Sequence, residues 1–205
     1  MDINIFEILI IFSASYLTTN FATPRIIAIA NNFGFYDIPN DRKWHSKPIV
    51  RLGGVAIALA FFLVLIFLGI INNDINFFNN KKYFLLIIGT LIIFLLGLYD
   101  DIYNLPPSLR LGIQFTISIF MWLGGIKIES LNLNILSDKN YTIELTNNLS
   151  LIITSFWLAG FTNALNWIDG VDGLAGGITT ICLLGNLFIS YSTGNYFIFI
   201  VSLVL

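Results

Sequence analysis

The 205-residue chain is poor in everything a water-facing surface needs. Charged residues make up 11% of it, there is one histidine and one cysteine, and prolines number five. Each shortage excludes something. Cys182 stands alone in the middle of an apolar run, so it has no disulfide partner and reads as a packing residue. Ten basic against twelve acidic side chains give a net charge of -2, which supplies no basic field for nucleic acid. Met1-Asp2-Ile3-Asn4 has no basic stretch ahead of the first apolar run, and no small-residue cleavage site follows, so a secretory leader is a poor reading. No internal repeat or low-complexity tract is visible, and one membrane domain over residues 1–205 is expected.

What is abundant is hydrocarbon. Hydrophobic residues reach 57%, with a mean hydropathy of +0.84, far outside soluble composition. Apolar runs near 5–30, 52–71, 83–99, 110–126, 149–165 and 174–191 approach the roughly 20 residues that cross a bilayer core. They are continuous and do not alternate at period two, which argues against a strand barrel. The expected fold is an all-α polytopic bundle of six complete spanning helices plus a partial seventh. The ten residues from Tyr196 to Leu205 would rise only about 15 Å, half of the hydrocarbon core. An end there would strand polar backbone in lipid, so the expectation is the N-terminal part of a longer protein.

Connectivity alone sorts the loops. Helices that alternate direction put the segments after runs one, three and five on one face, and these carry most of the polar chemistry. Residues 72–82 and 127–148 fall on the other face and read as ordinary connections. Arg42, Lys43, Lys47, Arg51 and Arg110 lie on the first face, against Lys81, Lys82, Lys127 and Lys139 on the second. This bias favours a cytoplasmic motif face and an external N-terminus.

The segment after run one gathers Arg42, Lys43, His45, Lys47 and Arg51 within ten positions, ahead of Gly53-Gly54. Basic groups there suit phosphates, although the positive-inside rule alone accounts for some of them. Asp100-Asp101 closes run three, placing two negative charges where the helix dipole is already negative. A solvated acidic helix end is the plain reading. The alternatives relieve the repulsion with a cation, a metal-bearing phosphate partner or a proton held by one carboxyl. After run five comes Asn163-Ala-Leu-Asn166-Trp-Ile-Asp169-Gly170-Val-Asp172-Gly173. Asp169 and Asp172 are three apart, the spacing of one side of a helical turn, and Asn163 and Asn166 repeat it. The glycines open backbone conformations closed to other residues. Such oxygen donors suit a hard cation held jointly with substrate phosphates, and no twelve-residue calcium loop is present. A glycine-rich helix start with solvated carboxylates is the plain reading here. A transporter with a carboxylate ion site is a competing class, but its charges belong at mid-membrane depth.

Three motifs in this order, Asp37 to His45 with Arg51-Leu-Gly53-Gly54, Gly97 to Asp101, and Asn163 to Ala175, resemble the polyprenyl-phosphate N-acetylhexosamine-1-phosphate transferases. The resemblance spans nearly the whole chain and is nearest to the bacterial undecaprenyl-phosphate N-acetylglucosamine-1-phosphate transferases. It implies a glycosyltransferase family 4-like fold in the bacterial plasma membrane, with the active face cytoplasmic. The implied reaction joins UDP-N-acetylhexosamine and undecaprenyl phosphate, with Mg²⁺ or alternatively Mn²⁺, and a homodimer as a candidate assembly. It further implies that Asp100 orients or deprotonates the lipid phosphate, with Asp101 beside it. Asn166 is implied to hold the metal, and Asp169 and Asp172 to line the nucleotide-sugar site or the metal's outer shell. Lys43 and His45 are implied to lie near the phosphates, with Arg51 and Asn163 also among the substrate-binding residues. Family members continue with further helices, a later metal-binding aspartate and a histidine-rich basic loop, none of which occurs in these residues. A non-catalytic fragment or membrane partner with an incomplete site is therefore the alternative.

Overall fold

The computed structural model describes residues 4–37, 49–50, 52–71, 80–132, 142–170 and 173–205. Seven helices appear among them: α1 (Ile5–Phe33), α2 (Gly53–Ile71), α3 (Lys81–Tyr103), α4 (Pro107–Leu123), α5 (Asn147–Ile168), α6 (Leu174–Thr193) and α7 (Tyr196–Val204). The six apolar runs each became one helix, and the partial seventh became α7. Helices α1, α2, α3, α5 and α6 are long and apolar enough to cross a membrane. At 17 residues, α4 stands at the lower edge of the spanning range of about 17–25. Exposed Ile181, Leu184, Phe188 and Ile189 on α6 make a surface suited to lipid. Cys182 is exposed on the same helix, so it is not the packing residue the sequence suggested.

Caps explain most boundaries. The Asn4 side chain accepts from Phe6 N–H, that of Asn80 from Lys82 N–H at 3.0 Å, and that of Asn195 from Ile198 N–H, opening α1, α3 and α7. Pro107 opens α4, where a missing N–H costs nothing.

The chain packs as two compact units, residues 1–79 with 168–205 and residues 80–167. In the first, α1 packs on α2, and α7 lies against α1, α2 and α6. Its interior is mainly apolar, with Leu65 and Ile200 wholly enclosed, and it also buries Ser15, Ser190 and Ser202. Ala30 on α1 and Ala56 and Ala60 on α2 are buried small residues of the kind that let helix backbones approach in membranes. Ser15 Oγ donates to the Val204 carbonyl, tying α1 to α7. Tyr36–Asp37 (β1) pairs antiparallel with Ile49–Val50 (β2), Tyr36 opposite Val50.

In the second unit, helices α3, α4 and α5 alternate direction. Arg110 reaches Asp100, and Met121 lies over Gly89, so α3 and α4 run antiparallel. Gly89 is the buried position where a side chain would collide with the Met121 methyl. Gln114 meets Asn163, Phe115 meets Phe156, and Trp122 meets Ser150, so α4 and α5 run antiparallel as well. The segment expected to be a plain connection holds a hairpin, Ser130–Asn132 (β3) with Thr142–Glu144 (β4), Leu131 opposite Ile143. Thr154 Oγ1 accepts from Ile128 N–H at 2.9 Å and Ser150 Oγ donates to Ile128 O at 2.6 Å, which docks the hairpin's base on α5.

Candidate active site

The alternating directions of α3, α4 and α5 bring the C-terminal ends of α3 and α5 to the same end of their unit. Polar side chains that are far apart in sequence therefore meet around the start of α4.

Asp100 and Asp101 occupy the last turn of α3, which continues to Tyr103. The helix stops because Asn104 takes a left-handed conformation, φ 52°, and returns its N–H to the Asp100 carbonyl at 2.8 Å. Asparagine tolerates that region better than most residues do. Two prolines follow, and α4 begins almost at once. The tight reversal allows Asp100 to accept twice, from Leu105 N–H at 2.8 Å through Oδ1 and from Arg110 Nη1 at 2.7 Å through Oδ2. The Arg110 and Asp100 side chains are 22% and 19% exposed. The repulsion foreseen at the end of α3 is thus relieved by a cation from the next helix. Arg110 entered the sequence reading only as an orientation charge. Its position ten residues after Asp100 carried no local signal, since the prolines and the reversal between them decide the contact. Asp101, next in the chain, is exposed.

One helical turn further along α4 is Gln114, which shares a face with Arg110. It is 4% exposed and accepts from Asn163 Nδ2 at 2.5 Å. Asn163 Nδ2 also donates to the Ala159 carbonyl, one turn back on its own helix, at 2.8 Å. Gln114 was absent from the candidates. A carboxamide inside the run 110–126 was a signal available in the sequence, because polar groups inside membrane helices are costly and commonly functional.

The asparagine cluster lies in a helix and not in a loop. Both Asn163 and Asn166 fall within α5, because Ala164, Leu165, Trp167 and Ile168 continue the helix up to the turn at Asp169 and Gly170. Asn166 is exposed. Asp169 is exposed in the turn after α5, and Gly173 at φ 78° begins α6, using the freedom expected of that glycine. Tyr99 and Tyr103, 4.5 Å apart, and Trp167 are exposed aromatics at the same end of the second unit, which suits the membrane–water boundary. Lys43, His45, Arg51 and Asp172 lie outside the described residues. The strands β1 and β2 flank the segment that carries the first two.

Chemically, this end offers a half-buried carboxylate with its counter-cation, an exposed carboxylate and the carboxamides of Gln114, Asn163 and Asn166. Among the described residues, no group of three or more His, Cys, Asp or Glu side chains gathers to hold a metal on its own. The oxygen donors present are of the hard type that binds Mg²⁺ together with substrate phosphates.

Residues 83–205 match the family described as Glycosyl transferase family 4. Over its full length, the chain is 31% identical to the probable undecaprenyl-phosphate N-acetylglucosaminyl 1-phosphate transferase of Bacillus subtilis (strain 168), covering 54% of that protein. Over 78% of its length, it is 30% identical to the phospho-N-acetylmuramoyl-pentapeptide-transferase of Lactobacillus johnsonii, covering 52% of it. Over 78% it is also 28% identical to the undecaprenyl-phosphate alpha-N-acetylglucosaminyl 1-phosphate transferase of Thermotoga maritima, covering 45%. The chain spans about half the length of the curated relatives it matches. No solved structure matches it.

Proposed function

The chain belongs to glycosyl transferase family 4, and on that premise we propose that its protein transfers N-acetylhexosamine 1-phosphate, most simply N-acetylglucosamine 1-phosphate, from a UDP-sugar to undecaprenyl phosphate. An oxygen of the lipid phosphate forms a new bond to the sugar-bearing phosphorus. The diphosphate P–O bond breaks, and UMP leaves with the electron pair. The setting proposed is the cytoplasmic face of a bacterial plasma membrane.

The observation that carries the reading is the Asp100–Arg110 pair standing one turn of α4 from the Gln114–Asn163 hydrogen bond, at one end of one unit. Joining two anions requires charge neutralisation and alignment more than covalent help from the protein. Asp100, held by Leu105 N–H and Arg110, is a fixed carboxylate suited to orient the lipid phosphate or accept its proton. Arg110 holds that carboxylate in place, and Asp101 supplies a second, exposed carboxylate beside it. Asn166 would hold Mg²⁺ as its protein ligand, and Asp169 and Asp172 would line the nucleotide-sugar site or stand in the metal's outer shell. When bound, the ion neutralises phosphate charge. Lys43, His45 and Arg51 are proposed to meet the phosphates, Asn163 to meet the nucleotide sugar, and a homodimer is the proposed assembly.

The test supplies membranes carrying the full-length native protein with UDP-N-acetylglucosamine, undecaprenyl phosphate and Mg²⁺, and follows UMP and lipid product. Release that is lost in Asp100→Asn supports the reading. No release with this or other UDP-N-acetylhexosamines overturns it.

A further inference from the structure

Gln114 is a carboxamide almost wholly enclosed, on a helix whose other enclosed residues are Ser118 and Met121. A leucine there would fill space without needing a partner, whereas a buried amide must be matched. Gln114 is not the sole contact that joins α4 to α5. Phe115 with Phe156, at 5.1 Å between ring centres, and Trp122 Nε1 with Ser150 Oγ, at 3.0 Å, already hold those helices together.

The hydrogen bonds define what Gln114 does. The Ala159 backbone carbonyl can only accept, so the Asn163 atom beside it at 2.8 Å is Nδ2. That nitrogen has two hydrogens, and the second goes to Gln114 at 2.5 Å, which must therefore present Oε1. With both donors used, the Asn163 carboxamide cannot flip without placing an acceptor against two acceptors. Its Oδ1 takes no hydrogen bond from the described residues and is the one unused polar atom of the group.

We propose that Gln114 is a positioning residue that, together with the Ala159 carbonyl, locks the Asn163 carboxamide so that Oδ1 is left as the acceptor for a ligand. The ligand chemistry follows from the atom: Oδ1 receives either a donor group of the nucleotide sugar, N–H or O–H, or a hard cation. The inference rests on the transferase reading above and adds to it a residue that, with the Ala159 carbonyl, holds the direction of the amide.

The test uses the full-length native protein in detergent and compares wild type, Gln114→Met, Gln114→Glu, Asn163→Ala and the double variant Gln114→Met/Asn163→Ala. Gln114→Met removes the acceptor at similar volume. Gln114→Glu keeps an acceptor oxygen in either protonation state. For Gln114→Met, the expected result is an increase of about tenfold in either the UDP-sugar KM or the Mg²⁺ concentration for half-activation, the worth of one neutral hydrogen bond. Which of the two moves identifies the ligand. The thermal midpoint is expected to stay near that of wild type, Gln114→Glu to recover most of the loss, and the double variant to be no worse than Asn163→Ala alone. Unchanged kinetics in Gln114→Met, effects that add in the double variant, or a loss that Gln114→Glu does not recover while the thermal midpoint falls would each overturn the inference. A wild type that releases no UMP overturns the transferase reading, and this inference with it. A wild type that turns over normally beside an equally active Gln114→Met overturns the inference alone.

Discussion

The two packing units bury different chemistry. Residues 1–79 with 168–205 enclose mainly aliphatic and aromatic side chains, Leu65, Ile200, Phe61 and Val64 among them. Residues 80–167 enclose Gln114, Ser118, Ser150, Thr154 and Ser155, with little beyond Met121 and Ala159 that is apolar. Lipid tails are as apolar as leucine, so burying leucine between helices gains packing but little transfer energy, whereas a hydroxyl or amide in hydrocarbon must find a partner. The second unit is therefore held by specific polar bonds, each of which fixes a direction. That unit also carries the carboxylates and carboxamides proposed to work on substrate. The first unit relies more on the fit of apolar side chains, with Ser15, Ser190 and Ser202 as its buried hydroxyls.

The largest expected departure tests the apolar side of this contrast. Leu65→Ala should open a cavity in the first unit and cost about 2–5 kcal/mol, read as a lowered unfolding midpoint in detergent. A cost near zero would mean that the helices collapse onto the gap and that shape is not what holds this unit.

A smaller effect is expected at the charged pair. Arg110→Met leaves Asp100 without its cation at a helix end of the same sign. The pair is about one-fifth exposed, so its loss should fall between the surface and buried limits, at about 2 kcal/mol. Adding Asp100→Asn should restore stability but not UMP release. Independent, additive stability losses in a double-mutant cycle would show that the contact does not couple the two helices.

Thr154→Val should come next, at about 1–2 kcal/mol, because it strips the Ile128 N–H of its acceptor at the hairpin base while keeping volume. Kinetic constants should not move, since this bond lies at the opposite end of the unit from Asp100. A changed KM would blur the separation between a structural end and a working end.

The smallest effect is expected at Ser155. Its hydroxyl is buried and has no hydrogen-bond partner among the described residues. Ser155→Ala should be neutral or slightly stabilising, within about 0.5 kcal/mol in size, by unfolding midpoint. A clear loss would reveal a partner for that hydroxyl in the intact protein.

Much of the architecture could be read directly from the sequence because membrane helices are declared locally. Uninterrupted apolar runs placed six helices and a partial seventh close to where they lie. The site was legible as residue types. Asp100, Asp101, Asn163, Asn166 and Asp169 drew notice because oxygen ligands at the edge of hydrocarbon are expensive. Less legible were the ends of the elements. Asp100 and Asp101 remain helical up to Asn104, and Asn163 and Asn166 belong to α5, because a polar residue does not end a helix when nothing nearby competes for its backbone bonds. The hairpin between α4 and α5 was also missed, since its pairing depends on residues about twelve apart and on hydroxyls supplied by α5.

The sequence by itself determined that this is a polytopic helical membrane protein, that its polar motifs fall near the ends of alternate apolar runs, and, through those motifs, its family. Each follows from short-range patterns, because length, hydropathy and capping act within a few residues. Only the tertiary structure decided that Arg110 pairs with Asp100 and that Asn163 donates to Gln114. Those partners stand 10 and 49 residues apart, and the antiparallel packing of α3, α4 and α5 brings them within hydrogen-bonding distance.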